Sequence, residues 1–229
     1  MSPPGVHIEG TPLSRSITAL SELTARPAAI EDGVAAVIGA TRALFAVTGA
    51  GLMLVDAHGS LRHVGATDPP ARVLEEAQED LSEGPGVDCL VLGARASSDD
   101  IAADGRWPRL RERVVPAGVR ALLAVAVRLG GSPVGSLTVY RETAYAWDDS
   151  DRAAIAAYGD VAERLLGSAL AERRSGVLVA QLQTALDRRV VIERAVGVLM
   201  ERHGIGPVIA FGALRRAARD ARRPGADPA

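Results

Sequence analysis

Lysine is absent from this chain of 229 residues, and all 26 of its basic residues are arginine. A GC-rich coding bias produces the same replacement everywhere, so arginine identity alone carries no functional meaning. Cysteine is nearly absent as well. The single Cys89 excludes an internal disulfide framework and every multi-cysteine metal site, and it suits a reducing compartment. No stretch approaches 18 uninterrupted apolar residues, the length a membrane span requires. The first residues lack the basic-then-apolar order of a secretory signal. Phosphate-binding loop, HExxH, GxSxG and dinucleotide signatures are missing too. These absences point to a cytoplasmic protein without a membrane contact, without a metal or bound cofactor, and not an enzyme. Apolar residues make up 48% of the chain at a mean hydropathy of +0.13, which is enough for a folded core.

What is present is distributed unevenly. Residues 1–172 hold 15 arginines against 23 acidic residues, a balance of −8, whereas residues 173–229 hold 11 against 5, a balance of +6. An acidic domain with a basic appendage suggests an anionic partner for the appendage.

Residues 1–12 are rich in Pro and Gly and are expected to be disordered. Helical periodicity starts near Leu13, and residues 30–45 read as a second helix with Val34, Val37, Ile38 and Leu44 inward. Two apolar runs, Leu52 to Val55 and Leu61 to Gly65, flank a turn at His58-Gly59-Ser60 and read as a hairpin. Pro69-Pro70 opens a polar helix to Leu81, followed by a Gly84-Pro85-Gly86 turn and a short apolar stretch at Cys89–Leu92. A short helix is expected around Arg106–Val114. Residues 119–129 and 132–140 form a second hairpin through Gly130-Gly131, and the acidic residues Asp148-Asp149-Ser150-Asp151 open a long helix. The sum is an α+β fold: an antiparallel sheet with flanking helices over residues 13–172, then an all-helical module over 173–223 and a tail at 224–229.

Within the first part, Glu83-Gly84-Pro85, Asp100-Ile101, Arg106-Trp107-Pro108-Arg109, Val134-Gly135-Ser136-Leu137 and Trp147-Asp148-Asp149-Ser150-Asp151 stand in an order that resembles the GAF domain family of small-molecule sensors. The resemblance implies a six-stranded antiparallel sheet with helices on one or both sides and, where an effector is bound, a pocket over the sheet. It does not name the effector. Cys89 reads either as a thiol sensor or as a small buried side chain, and His58 and His63 either as haem ligands or as hairpin surface residues. The cyclic-nucleotide signature of the family needs a lysine and cannot stand here intact. The methionine-sulfoxide reductases of this fold need several cysteines.

In the helical module, positions 178, 182, 185, 189, 192, 196, 199 and 203 follow steps of four and three. Leu178, Leu182, Ala185, Ile192, Val196 and Leu199 on this heptad stripe make a seam for a parallel homodimer, interrupted by Arg189. Gly204 stops the helix and Pro207 starts another, with Ile209, Phe211 and Leu214 on its apolar side. Arg189, Ala195-Val196-Gly197 and Leu199-Met200, then Ala210-Phe211 and Leu214-Arg215, resemble the ANTAR motif of RNA-binding transcription antiterminators. The order GAF then ANTAR resembles regulators of actinobacterial type. The resemblance implies tandem RNA stem-loops as partner, and Arg188, Arg189, Arg194, Gly197, Arg202, Arg215, Arg216 and Arg219 as the residues that meet them. Val196 stands where the family often has lysine. Residues 222–229, with two prolines and a glycine, do not suit the third helix of that family. A second reading stays open: a sensor or dimerisation protein whose ANTAR-like segment binds another protein.

Overall fold

The computed structural model describes residue 18 and residues 30–45, 47–171 and 177–221. The expected disorder of residues 1–12, the helix start near Leu13 and the tail at 224–229 lie outside the described residues. Helix α1 (Ile30–Phe45) precedes the hairpin β1 (Gly49–Val55) and β2 (Leu61–Ala66). Helices α2 (Pro69–Leu81) and α3 (Pro85–Leu92), the short strand β3 (Ala96–Ser98) and helix α4 (Pro108–Val114) follow. A second hairpin, β4 (Ala121–Leu129) and β5 (Ser132–Arg141), leads to α5 (Asp149–Ala171), α6 (Val177–His203) and α7 (Pro207–Asp220).

Local chemistry sets these boundaries. Asp68 caps α2 by accepting from the Ala71 N–H at 2.9 Å, and Pro69 supplies a preset φ in its first turn. The helix ends where Ser82 turns left-handed at φ 51°. Gly84, at φ 137°, lets the chain reverse directly into α3, so the Gly-Pro-Gly turn becomes a helix start and the apolar stretch behind it becomes that helix. Gly130 and Gly131, both at positive φ, make the two-residue turn between β4 and β5. Asp148 and Asp151 cap each other's backbone N–H at the start of α5, at 2.8 and 3.1 Å.

The sheet has the order β2-β1-β5-β4-β3, with every pair antiparallel. It has five strands among the described residues, where the resemblance implied six. The β3 edge pairs for three residues only. Asp100 then takes the Arg120 guanidinium at 2.7 and 2.9 Å, and the chain leaves the ladder. Alternation along β4 and β5 separates two faces. Leu123, Val125, Val127, Leu137 and Val139 pack under α1 and α5, beside Val37, Ile155 and Tyr158. Leu122 and Tyr140 on the opposite face pack with Leu74 of α2 and Leu110 of α4, and Ala124 and Ala126 with Cys89 of α3. Between these clusters the same face carries Ser136 and Thr138.

Leu137 is fully buried in the central strand, level with Leu52 on one side and Val125 on the other. Leu137→Ala is expected to lower stability by about 2–5 kcal/mol. Val198→Ala, at a side chain that is 64% exposed, should change it by no more than about 0.5 kcal/mol. Urea denaturation of the two variants checks both.

Candidate nucleic-acid interface

Helices α6 and α7 pack against each other across a short connection at Gly204, whose φ of 62° and N–H bond to the Met200 carbonyl at 2.9 Å end α6. The pair lies back on the sheet domain, α6 against β1, β5 and α5, and α7 against α3. Leu182 and Ala185 are buried and join the apolar cluster of the sheet, as does Phe211 from α7. Ile192 and Val196 pack against the same cluster in part. Four of the six seam residues thus turn toward the chain's own sheet domain. Leu199 is half-buried, and the side chain of Leu178 lies outside the described residues. The opposite side of α6 exposes Val190, Val191 and Val198. Gly197 has open space where a side chain would stand, so packing within the chain does not require a glycine there.

The candidate arginines divide along the same line. Arg194, Arg202 and Arg216 are exposed. Arg188 is exposed too, yet its Nη1 donates to the Ala57 carbonyl at 3.2 Å. Arg189 is half-buried, donates to the Pro133 carbonyl and pairs with Glu193 at 2.7 Å. Arg215 is buried, 8% exposed, donating to the His58 carbonyl at 3.1 Å and to the Ser60 hydroxyl. The side chain of Arg219 lies outside the described residues. Two helices therefore bring Arg188 and Arg215 onto one hairpin turn, the β1–β2 turn of the sheet domain.

That turn is built around Asp56. Its Oδ1 accepts the N–H groups of His58 and Ser60 at 2.8 and 2.9 Å, and the Gly59 N–H bonds the Asp56 carbonyl at 2.9 Å. Burial alone would raise the Asp56 carboxyl, but these bonds and the Arg62 guanidinium at 3.0 Å hold it below the usual carboxylate range. With its N–H groups turned inward, the turn presents the Ala57 and His58 carbonyls outward. Gly59, at φ 70°, leaves room for Ile192; a Cβ there would force the Ile192 Cδ1, the far end of that side chain, to swing aside.

A second group was not legible as a site. Glu75 and Gln78 stand on the inward face of α2, over Ser136 and Thr138. Gln78 Nε2 donates to Glu75 Oε2 at 2.8 Å, and Gln78 Oε1 accepts the Gly86 N–H at 2.7 Å. The Ser136 hydroxyl has no hydrogen-bond partner among the described residues. Burial pushes the Glu75 carboxyl up to about 8, against the lowering effect of the Gln78 bond. Positions 71, 74, 75 and 78 share one helical face, so the signal available was two polar residues on an otherwise apolar stripe. Cys89 is fully buried and burial pushes its thiol up to about 12, conditions under which a thiol is unreactive. His58 is exposed and His63 half-buried, and among the described residues no cluster of His, Cys, Asp and Glu could hold a metal ion. No described helix is long and apolar enough to cross a membrane.

Comparison with known proteins agrees with this division of the chain. A GAF domain family model matches residues 30–166, and an ANTAR domain family model matches residues 180–229. No curated protein matches. Among solved structures, the GAF domain of an Acinetobacter phosphoenolpyruvate-protein phosphotransferase is similar at 11% identity and a TM-score of 0.56, covering 71% of this chain and 98% of its own. The GAF domain of the Coxiella burnetii phosphotransferase is similar at 14% and 0.55, covering 72% and 98%. The free methionine-R-sulfoxide reductase of Neisseria meningitidis is similar at 15% and 0.55, covering 67% and 87%. At these identities the likeness is one of fold.

The buried carboxyl generates a pH dependence. The folded-state value of about 8 lies above the ordinary 4.5, so between the two the folded state holds a proton that the unfolded state has released. Stability from Glu75 is therefore complete below about pH 4.5 and lost as the pH rises toward about 8, by up to about 1.4 kcal/mol per pH unit. Glu75→Gln should flatten that slope, as read from urea midpoints across the same range.

Proposed function

The chain belongs to the GAF domain family and carries an ANTAR domain behind its GAF domain, and from this premise we propose that it is a signal-responsive, RNA-binding regulator of transcription antitermination, not an enzyme. The observation that carries the reading is the arginine-bearing helix pair that the ANTAR match covers. Arg194, Arg202 and Arg216 stand exposed on two adjoining helices. Guanidinium groups so placed bond phosphates bidentately and stack on splayed bases, the chemistry by which stem-loops are held. Arg188, Arg189, Arg215 and Arg219 complete the proposed RNA-contacting set, with Gly197 as a point of close approach. Tandem stem-loops are the proposed ligand and a homodimer the proposed functional unit, acting in the cytoplasm. The buried Glu75–Gln78–Ser136–Thr138 set supports reading that side of the sheet as the one that senses a small polar effector.

The proposed domains are residues 13–172 for the sensor and 173–223 for the RNA-binding module. The exposed Val190, Val191 and Val198 favour a second reading, in which this side of α6 meets another protein. Salt dependence separates the two. RNA carrying two stem-loops should bind more tightly than a scrambled RNA, with affinity falling linearly on log–log axes as salt rises. Arg194→Ala, Arg202→Ala and Arg216→Ala should each reduce that slope by about 1. Binding no better than to the scrambled RNA at low salt overturns the RNA reading and leaves the protein-contact reading.

A further inference from the structure

The helix pair and the sheet domain meet through a small set of contacts that take the arginines of one into the surface of the other. Arg215 is 8% exposed, and its guanidinium is spent on the His58 carbonyl and the Ser60 hydroxyl. Arg188 holds the Ala57 carbonyl of the same turn, and Arg189 the Pro133 carbonyl at the start of β5. Ile192 fills the space above Gly59. A phosphate cannot reach Arg215 in this arrangement, and it reaches Arg189 only in part. The interface also closes imperfectly. A half-open, mainly apolar cleft of about 190 Å³ remains in it, lined by Val134, Leu90, Ile192, Val196 and Phe211 with Arg189 and Glu193 among its walls. Apolar side chains left facing an open cleft are incompletely buried against each other, which suits a contact that opens.

We propose that this docked form is the RNA-off state, in which the β1–β2 turn is a latch: its outward carbonyls occupy Arg188 and Arg215, and Gly59 seats Ile192. The inference rests on the RNA-binding reading and adds its regulation. Release of the helix pair uncovers Arg215 and the rest of Arg189 and frees the Nη1 of the already exposed Arg188, so the released form adds these groups to the outward Arg194, Arg202 and Arg216. The apparent affinity of the whole chain for RNA is its intrinsic affinity reduced by the fraction released. By linkage, RNA draws the helix pair off the turn, and whatever stabilises the turn's grip weakens RNA binding.

Two substitutions unlatch the pair by different means. Gly59→Asn keeps a residue that tolerates positive φ but places a Cβ against Ile192. Ile192→Asp leaves the turn untouched and removes its apolar plug. Small-angle X-ray scattering of the full chain reads release as an increased radius of gyration, and titration with the two-stem-loop RNA reads affinity. Both variants are expected to expand and to bind the RNA about tenfold or more tightly than the unaltered chain, and Arg215→Ala placed in either should reverse the gain. Expansion with unchanged or weaker RNA binding overturns the latch while leaving the RNA reading intact. An unchanged radius in both variants overturns the assignment of Gly59 and Ile192 as its seat. Loss of all preference over scrambled RNA, in the unaltered chain and both variants alike, overturns the RNA reading and the latch with it.

Discussion

The carboxylate of Asp56 decides which way the β1–β2 turn points its polar groups. By accepting the N–H groups of His58 and Ser60 it satisfies the donors of the turn from inside, and the Ala57 and His58 carbonyls are left facing out. An outward carbonyl is an acceptor in need of a donor, and Arg188 and Arg215 supply it from two different helices. Gly59, held left-handed in the same turn, removes the side chain that would keep Ile192 away. The way the ANTAR helices sit on the GAF domain follows from this one turn together with the apolar contacts of Leu182, Ala185 and Phe211.

The turn is tied to the rest of the GAF domain. Arg62, on β2, bonds Asp56 and also Glu79 of α2, and Glu79 accepts the His63 N–H at 3.0 Å. The same α2 carries Gln78, the residue before Glu79, and Glu75, one turn of helix back, over the polar side of the sheet. A shift of α2 is therefore felt at two places, the buried polar set and the strand that leads out of the turn. On the proposed reading, a sensor domain that moves α2 has a short mechanical route to the arginines.

The sequence made the elements legible wherever local chemistry sets them. Pro69 and Pro207 mark helix starts, Gly130-Gly131 and the His58–Ser60 turn mark hairpins, and the acidic run at 148–151 marks α5, whereas the Gly84-Pro85-Gly86 turn concealed the start of α3. The stripe through Leu182, Ala185, Ile192 and Val196 was likewise readable, because periodicity reports which side of a helix is apolar. It does not report what covers that side: the spacing suggested a second chain, and the folded chain turns the stripe toward its own sheet. Arg215 shows the same limit for charge, since a guanidinium counted as surface is buried once the His58 carbonyl and the Ser60 hydroxyl, 157 and 155 residues away in sequence, accept its hydrogen bonds. Glu75 and Gln78 are not legible as a site because polar residues on a helix read as its solvent side unless burial shows otherwise. The third helix missing from the motif reading concerns residues outside the described ones.

The central claim is that RNA and the β1–β2 turn compete for the same helix pair. The most direct measurement follows the Ile192 δ1 methyl by nuclear magnetic resonance while two-stem-loop RNA is titrated into the intact chain. The account predicts that the nuclear Overhauser contact between this methyl and Gly59 disappears as RNA binds, and that the methyl resonance moves while those of the buried Ile101 and Ile155 stay in place. Saturation with RNA while the contact between Ile192 and Gly59 persists would contradict it.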